Sequence, residues 1–400
     1  MKTKSFMDMI EDQIGSSVTE NGAVGYASSG HALVDLNFAV SSLRNRSDTD
    51  VVQMFEAAYK EDAWLAIVWL FFARDIRGGM GERRLFRLCM DWLADQHTDV
   101  AKHLLPLIPY YGRWDDAVEL IGTALHHDVL RMIRDQLFLE MHSGKNEEIS
   151  LLSKWLPSEC SRSPRKRRQA QAIMNFLGMS PRTYRQTLSA LRKRLDVVER
   201  KMSAGEWEAI RYPAVPSRAN LIYNDAFLRH DEVRRREFLA KVRRGELKIN
   251  ASTLYPHDIV HQYGHADFVD PTLEALWNAL PNTVPKGGST IVVADGSGSM
   301  TSRIGNTNVT ALSVANALAI YFAERLPKPF RNKYITFSMN PQFVDLSGCP
   351  DLCRKICTAR RHNEVANTNV KAVFDLLRHT AVDNHLKQEE IPANVLILSD

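Results

Sequence analysis

STIVVADGSGSM, residues 289–300, divides into two halves of opposite character. Ser289 to Ala294 is short, rich in β-branched residues and free of proline, the composition of a strand buried in a parallel sheet. The next five residues, Asp295, Gly296, Ser297, Gly298 and Ser299, alternate oxygen-bearing side chains with glycines. Glycines let the backbone curl, so a carboxylate and two hydroxyls can converge just past the strand end, which suits a small hard cation. Open α/β sheets place ligands off the carboxyl ends of their strands, where this cluster would fall.

An aspartate and two serines in D-x-S-x-S after an apolar strand resemble the metal-ion-dependent adhesion site of the von Willebrand factor A domain. Two downstream stretches extend the likeness: Ala366-Asn367-Thr368-Asn369 before VKAVFDLL, and NVLILSD, which ends on Asp400. The resemblance implies a Rossmann-like α/β domain over residues 285–400. It also implies a site for Mg²⁺, or another divalent cation, made by Asp295, Ser297, Ser299, Thr368 and Asp400. One coordination position would stay open for the carboxylate of an acidic protein partner. A glycine-serine turn with no ligand is the plain alternative. Around the motif the expected order is a helix from Asn308 to Arg325, strands Tyr334–Phe337 and Gln342–Leu346, a helix, the Thr368 loop, a helix and a last strand. A complete A domain would continue past Asp400, so the resemblance makes this one C-terminally incomplete.

Upstream, a 44% hydrophobic content supports large cores, and 51 basic against 47 acidic residues leave a net charge of only +4. Residues 1–30 form an N-terminal segment with scattered charge and no apolar run of signal-peptide type. The most apolar run, Trp64 to Ala73, is roughly half of the ~20 residues that a bilayer span needs, and reads as a buried core helix. Membrane association is not expected. Five cysteines, an odd number, fit a reducing cytoplasm. Cys349, Cys353 and Cys357 would stack along one helix face, and His257, His261 and His265 along another; neither spacing is that of a common zinc site.

Residues 31–284 read as helix after helix: His31 to Leu43, Asp50 to Arg74, Glu82 to Asp95, Trp114 to Leu125, Pro181 to Met202 and Asp231 to Arg244 carry apolar residues at three and four spacing. Ser180 followed by Pro181 forms a well-built helix start. Short connections suggest helix pairs stacked as an irregular solenoid. Four strings here, FFARDIRGGMGERRLFR (Phe71 to Arg87), IPYYGRWDD (Ile108 to Asp116), YPAVPSRA (Tyr212 to Ala219) and KINASTLYPHDIV (Lys248 to Val260), resemble an uncharacterised domain family similar to the TROVE module of the Ro autoantigen. That likeness implies a HEAT-like α-helical repeat domain ahead of the A domain, in a protein that binds small noncoding or structured RNA.

The charge map points the same way independently. Between Arg162 and Lys201 stand twelve basic residues against Asp196 and Glu199. Arg162, Arg165, Lys166, Arg167, Arg168, Arg182, Arg185, Arg192, Lys193 and Arg194 are candidates to neutralise phosphates, with Tyr184 to stack on an unpaired base. A solvated helix face, or a basic surface for an acidic protein, is the alternative.

No nucleophile triad, phosphate-binding P-loop or paired catalytic carboxylates stand out, so the chain reads as a binding protein and not an enzyme. The expectation is a cytoplasmic, multidomain α plus α/β protein that binds RNA and, through Mg²⁺, a partner. The alternative is an interaction scaffold that uses the Mg²⁺ site on an acidic partner without RNA.

Overall fold

A computed structural model describes residues 16–18, 24–26, 28–145, 149–195, 197–264, 267–284, 289–304 and 307–399. Packing divides the chain into two compact units, Met1–Val197 and Val198–Asp400.

In the first unit a small antiparallel pair, β1 (Ser16–Val18) with β2 (Val24–Tyr26), precedes the helices. The periodicity from Asp50 to Arg74, read as one helix, is cut in two. Asp62 is extended (φ −151°, ψ 101°), and its carboxylate accepts the Leu65 N–H at 2.9 Å. It thus ends Asp48–Glu61 and N-caps Ala63–Arg74. The expected helix from Trp114 to Leu125 stops at Glu119, and the one from Pro181 stops at Arg194. A helix from His126 to His142 supplies Val129, Leu130, Ile133 and Leu137 to the core.

Ala63–Arg74 is not the fully buried helix that its composition suggests. Ala66, Trp69, Leu70 and Ala73 face the core, while Trp64 (72% exposed), Leu65, Val68 and Phe72 lie on the outer side. Among the described residues no helix is long and apolar enough to cross a membrane.

Three helices of this unit meet on one buried charge. Asp116, from the helix Trp114–Glu119, accepts from Arg74 Nε at 2.9 Å and from Arg87 Nε at 2.7 Å; Arg87 lies in Arg83–Gln96. Arg87 also reaches Asp115 at 2.8 Å. The turn before Arg83 folds tightly onto the helix it leaves, Met80 N–H donating to Phe72 O and Glu82 N–H to Ala73 O.

The second unit combines helices with a four-stranded sheet of order β5-β4-β3-β6: Gln342–Asp345, Lys333–Phe337, Thr290–Asp295 and Asn394–Leu398. β3 is central and parallel to β4 and β6, and β5 runs antiparallel at the edge. Alternation along β3 sorts its two faces. Val292 and Ala294 pack with Ala319 and Ile320 of the helix Ala311–Arg325, whereas Val293 packs with Ile335, Phe337 and Val373 of Val370–Asp383. The helices Pro256–Tyr263 and Pro271–Asn278 share the first of these cores. Trp277 donates to Glu324 at 2.7 Å, and Glu274 accepts the Leu352 N–H at 3.1 Å, at the start of Leu352–Arg361.

A Cβ at Gly79 would lie 1.8 Å from the Phe72 carbonyl oxygen, a backbone atom that cannot rotate away. Gly79→Ala is therefore expected to lower stability by about 3 kcal/mol, read as a drop in the urea midpoint at unchanged m-value.

Candidate metal centre

β3 carries Asp295 as its last residue, and the chain then folds back on it. The Ser297 N–H donates to Asp295 Oδ1 at 2.8 Å, and the Ser297 and Ser299 hydroxyls share a hydrogen bond of 3.1 Å. Asp295 and Ser297 are each 1% exposed. Neighbouring segments clamp the loop from both sides. The Gly296 N–H donates to Phe337 O at the end of β4 (2.8 Å), the Val365 N–H to Gly296 O (2.9 Å), and the Gly298 N–H to Ala366 O (3.0 Å). The Ala366 N–H in turn donates to the Ser338 hydroxyl at 2.8 Å, and Asn369 reaches Met339 O at 3.2 Å while capping Val370–Asp383. Val365 takes a left-handed φ of 51°, strained for a β-branched residue and held by these contacts.

The glycines act differently from the reading of a curled loop. Gly298 is right-handed helical (φ −62°, ψ −37°), and Gly296 is not among the glycines with positive φ. A Cβ at Gly296 would meet nothing closer than Phe337 O at 3.6 Å, and one at Gly298 nothing closer than Ala366 O at 3.9 Å.

Asp295, Ser297 and Ser299 thus share one turn, linked through the Ser297 N–H and the hydroxyl pair. The donor set fits a divalent cation, and one observation goes beyond its chemistry. Asp295 is buried, yet among the described residues no basic side chain pairs with it; its oxygens meet only the Ser297 N–H and, at 2.6 Å, the Ser399 hydroxyl. A buried carboxylate without a counter-charge costs several kcal/mol, a cost that a bound cation would offset. Thr368 is exposed in the loop that Ala366 joins to Gly298, and Asp400 lies outside the described residues. Ser399 and Ser338 were not singled out in the sequence. The signal for both was position, a hydroxyl at the carboxyl end of a strand beside β3.

The other candidate ligands are less well placed. Cys349 precedes the helix that holds Cys353 and Cys357, so the three thiols do not line one helix face; its sulfur lies 3.4 Å from the Thr358 hydroxyl. Burial, and then Cys357, pushes the Cys353 thiol up to about 11, away from the thiolate that binds metal. The His257 ring stacks on Tyr255 (5.7 Å, 8°), and His265 lies outside the described residues.

The basic candidates separate into two groups. Tyr184 does not offer its ring to a base: it is 1% exposed, with its hydroxyl donating to Pro157 O at 2.9 Å. Arg192 spans Ser153 O (2.7 Å) and Leu156 O, and Arg194 spans Glu140 O (2.9 Å) and Ser143 O (2.7 Å), so both guanidiniums tie helix ends together. Arg165 pairs with Glu119 at 2.7 Å, Arg185 with Glu159, and Arg167 donates to Ser161 O at 2.8 Å. Arg162, Lys166, Arg168, Arg182 and Lys193 are exposed and have no carboxylate partner among the described residues. Arg182 and Lys193 share one stripe of the helix Pro181–Arg194, opposite the buried Tyr184, Leu188 and Leu191.

The model of a domain of unknown function, DUF2828, matches residues 19–127 and 161–285, and that of a second, DUF7788, matches residues 289–400. A relative described as uncharacterized protein L728, from Acanthamoeba polyphaga mimivirus, is 28% identical over 425 residues, which span 96% of this chain and 72% of the relative. These findings overturn the resemblance to the TROVE module and Ro autoantigen and to the von Willebrand A family. The four helical strings fall inside the DUF2828 match, and the D-x-S-x-S stretch inside the DUF7788 match.

Since neither glycine of the loop needs a left-handed backbone or a missing Cβ, Gly298→Ala is expected to change stability by less than about 1 kcal/mol. Thermal unfolding followed by circular dichroism measures this.

Proposed function

The chain belongs to the family of the domain of unknown function DUF2828, and from that premise we propose that it is a binding protein with a divalent-cation site at the Asp295 loop. The observation that carries this reading is the buried Asp295 carboxylate, which meets the Ser297 N–H and the Ser399 hydroxyl and no basic side chain among the described residues. Asp295, Ser297 and Ser299 would hold the ion, with Thr368 and Asp400 as further oxygens. Bound there, Mg²⁺ or a similar hard cation supplies an electrophilic centre that takes a carboxylate oxygen from a protein partner. The chain's own part is to fix the donors in advance. β3 and β4 anchor Asp295 and Gly296, and the 363–369 loop is latched to the serines through Gly298 and Val365. The finer architecture belongs to the same proposal. The order β5-β4-β3-β6 with an antiparallel edge supports a Rossmann-like sheet of von Willebrand A type as a fold, and consecutive packed helices support a HEAT-like repeat. A cytoplasmic setting is supported by five cysteines that are all free thiols.

In calorimetric titration and thermal unfolding, wild type is expected to bind Mg²⁺ and to melt at a higher temperature in its presence. Asp295→Ala should lose both effects, and Ser297→Ala should weaken them while leaving the fold intact. Equal Mg²⁺ affinity in wild type and Asp295→Ala would show that the loop is only a turn.

A second reading, RNA binding by the first unit, is favoured by Arg162, Lys166, Arg168, Arg182 and Lys193, which are exposed without carboxylate partners among the described residues. Replacing Lys166, Arg168, Arg182 and Lys193 with glutamine should flatten the salt dependence of single-stranded RNA binding by about 0.7 per lost contact. Arg192→Gln, by contrast, should act on stability, because its guanidinium is committed to two carbonyls. A salt slope unmoved by the fourfold variant would eliminate this surface.

A further inference from the structure

We propose that the outer face of the helix Ala63–Arg74 is a self-association surface, and that its occupant is the same helix of a second copy of this chain. Trp64, Val68 and Phe72 stand four residues apart on that side, with Leu65 beside them, and all are exposed while Ala66, Trp69, Leu70 and Ala73 fill the core. Trp69 donates its indole N–H to Asn37 Oδ1 at 3.0 Å, which sets the helix Ala32–Leu43 alongside. Val34 and Phe38 of that helix, the latter 80% exposed, extend the apolar surface. From Ala63 to Ala73 there is no charged residue.

Val34, Phe38, Trp64, Leu65, Val68 and Phe72 together offer on the order of 700 Å² of mainly apolar surface per copy. That exceeds the few hundred Å² that a monomer commonly exposes in one patch and comes close to the ~800 Å² per partner of a stable interface. Area alone would suit any apolar partner, but the order of side-chain sizes selects a second copy. A large, a small and a large side chain at Trp64, Val68 and Phe72 form one ridge that reads the same in both directions about Val68. Placed about a twofold axis at Val68, two copies of the helix run antiparallel, and Trp64 of each meets Phe72 of the other. The small valines at the crossing let the two helices approach closely.

The charge distribution disfavours other occupants. An uncharged face gives an oppositely charged protein nothing to pair with, and it lacks the lysines and arginines by which a helix lying on an anionic membrane engages headgroups. A second copy needs neither, and antiparallel helices also set their dipoles in opposition. This surface is independent of both readings above, since none of its residues belongs to the cation loop or to the exposed basic set.

The test is sedimentation velocity on the full chain from low to high micromolar concentration, with circular dichroism to confirm that each variant is folded. Wild type is expected to pass from monomer to dimer. Val68→Lys, at an exposed position that spares the core, sets two ammonium groups together at the axis and should weaken the dimer about tenfold or more. Trp64→Ser should weaken it in the same direction. Phe343→Ser, which removes an exposed ring from the edge strand of the second unit, should dimerise as wild type does. The proposal is overturned if wild type is monomeric throughout, if Val68→Lys dimerises as wild type does, or if Phe343→Ser weakens the dimer as much as Val68→Lys. A monomeric wild type that instead sediments with phosphatidylcholine vesicles would identify a lipid surface as the occupant and overturn it as well.

Discussion

Asp116 holds two arginines from two other helices in a place where water does not reach. A charge removed from water needs an opposite charge and hydrogen bonds in good geometry, or the fold that buries it becomes costly. Arg74 is almost fully buried and must end beside Asp116, and Arg87 must bridge Asp116 to Asp115. The helices Ala63–Arg74, Arg83–Gln96 and Trp114–Glu119 therefore have little freedom relative to one another. The tight turn at Gly79, which has no room for a side chain, delivers the second helix to the first at the required angle.

The same constraint is met differently elsewhere. Arg235, fully buried in the second unit, finds neutral oxygens, Asn220 Oδ1 at 3.0 Å and Asn224 Oδ1, inside a box of aromatic rings: Tyr212 at 5.1 Å, Phe227 at 5.2 Å and Phe238 at 5.6 Å. Ring faces and amide dipoles stand in for a carboxylate, and burial pulls this guanidinium down to about 10. Asp295 has neither solution: it is a buried acid with only hydrogen-bond donors around it among the described residues. Places where a fold leaves a charge without an internal partner are where a ligand gains most by supplying one.

Family membership adds no chemistry here, because the matched domains have no stated function. It does change what the helical strings mean. Of the arginines of RDIRGG and GRWDD, Arg74 joins the Asp116 network, Arg77 donates to Tyr110 O at 3.1 Å and Arg113 stacks on Trp155, without reference to an RNA-binding relative.

Several features were legible in the sequence because they depend on residues close together in the chain. The apolar run before Asp295 is a buried parallel strand, the Gln342 hairpin strand is antiparallel to its neighbour, and Ser180 caps the helix that Pro181 begins. The meeting of Asp295, Ser297 and Ser299 is equally local, since a strand end and a two-residue spacing suffice to define it. Tertiary structure decided what spacing cannot encode. Asp62 breaks a continuous apolar period because capping outweighs continuation of the helix, and Trp64 faces outward because Ala66, Trp69 and Leu70 fill the core side. Tyr184, Arg192 and Arg194 sit in a basic stretch yet serve packing and carbonyl capping, while Lys166 and Arg182 stay at the surface. Charge is a property of the sequence, but whether it is spent inside the fold or left for a ligand depends on which distant residue arrives beside it, and only the packed chain determines that.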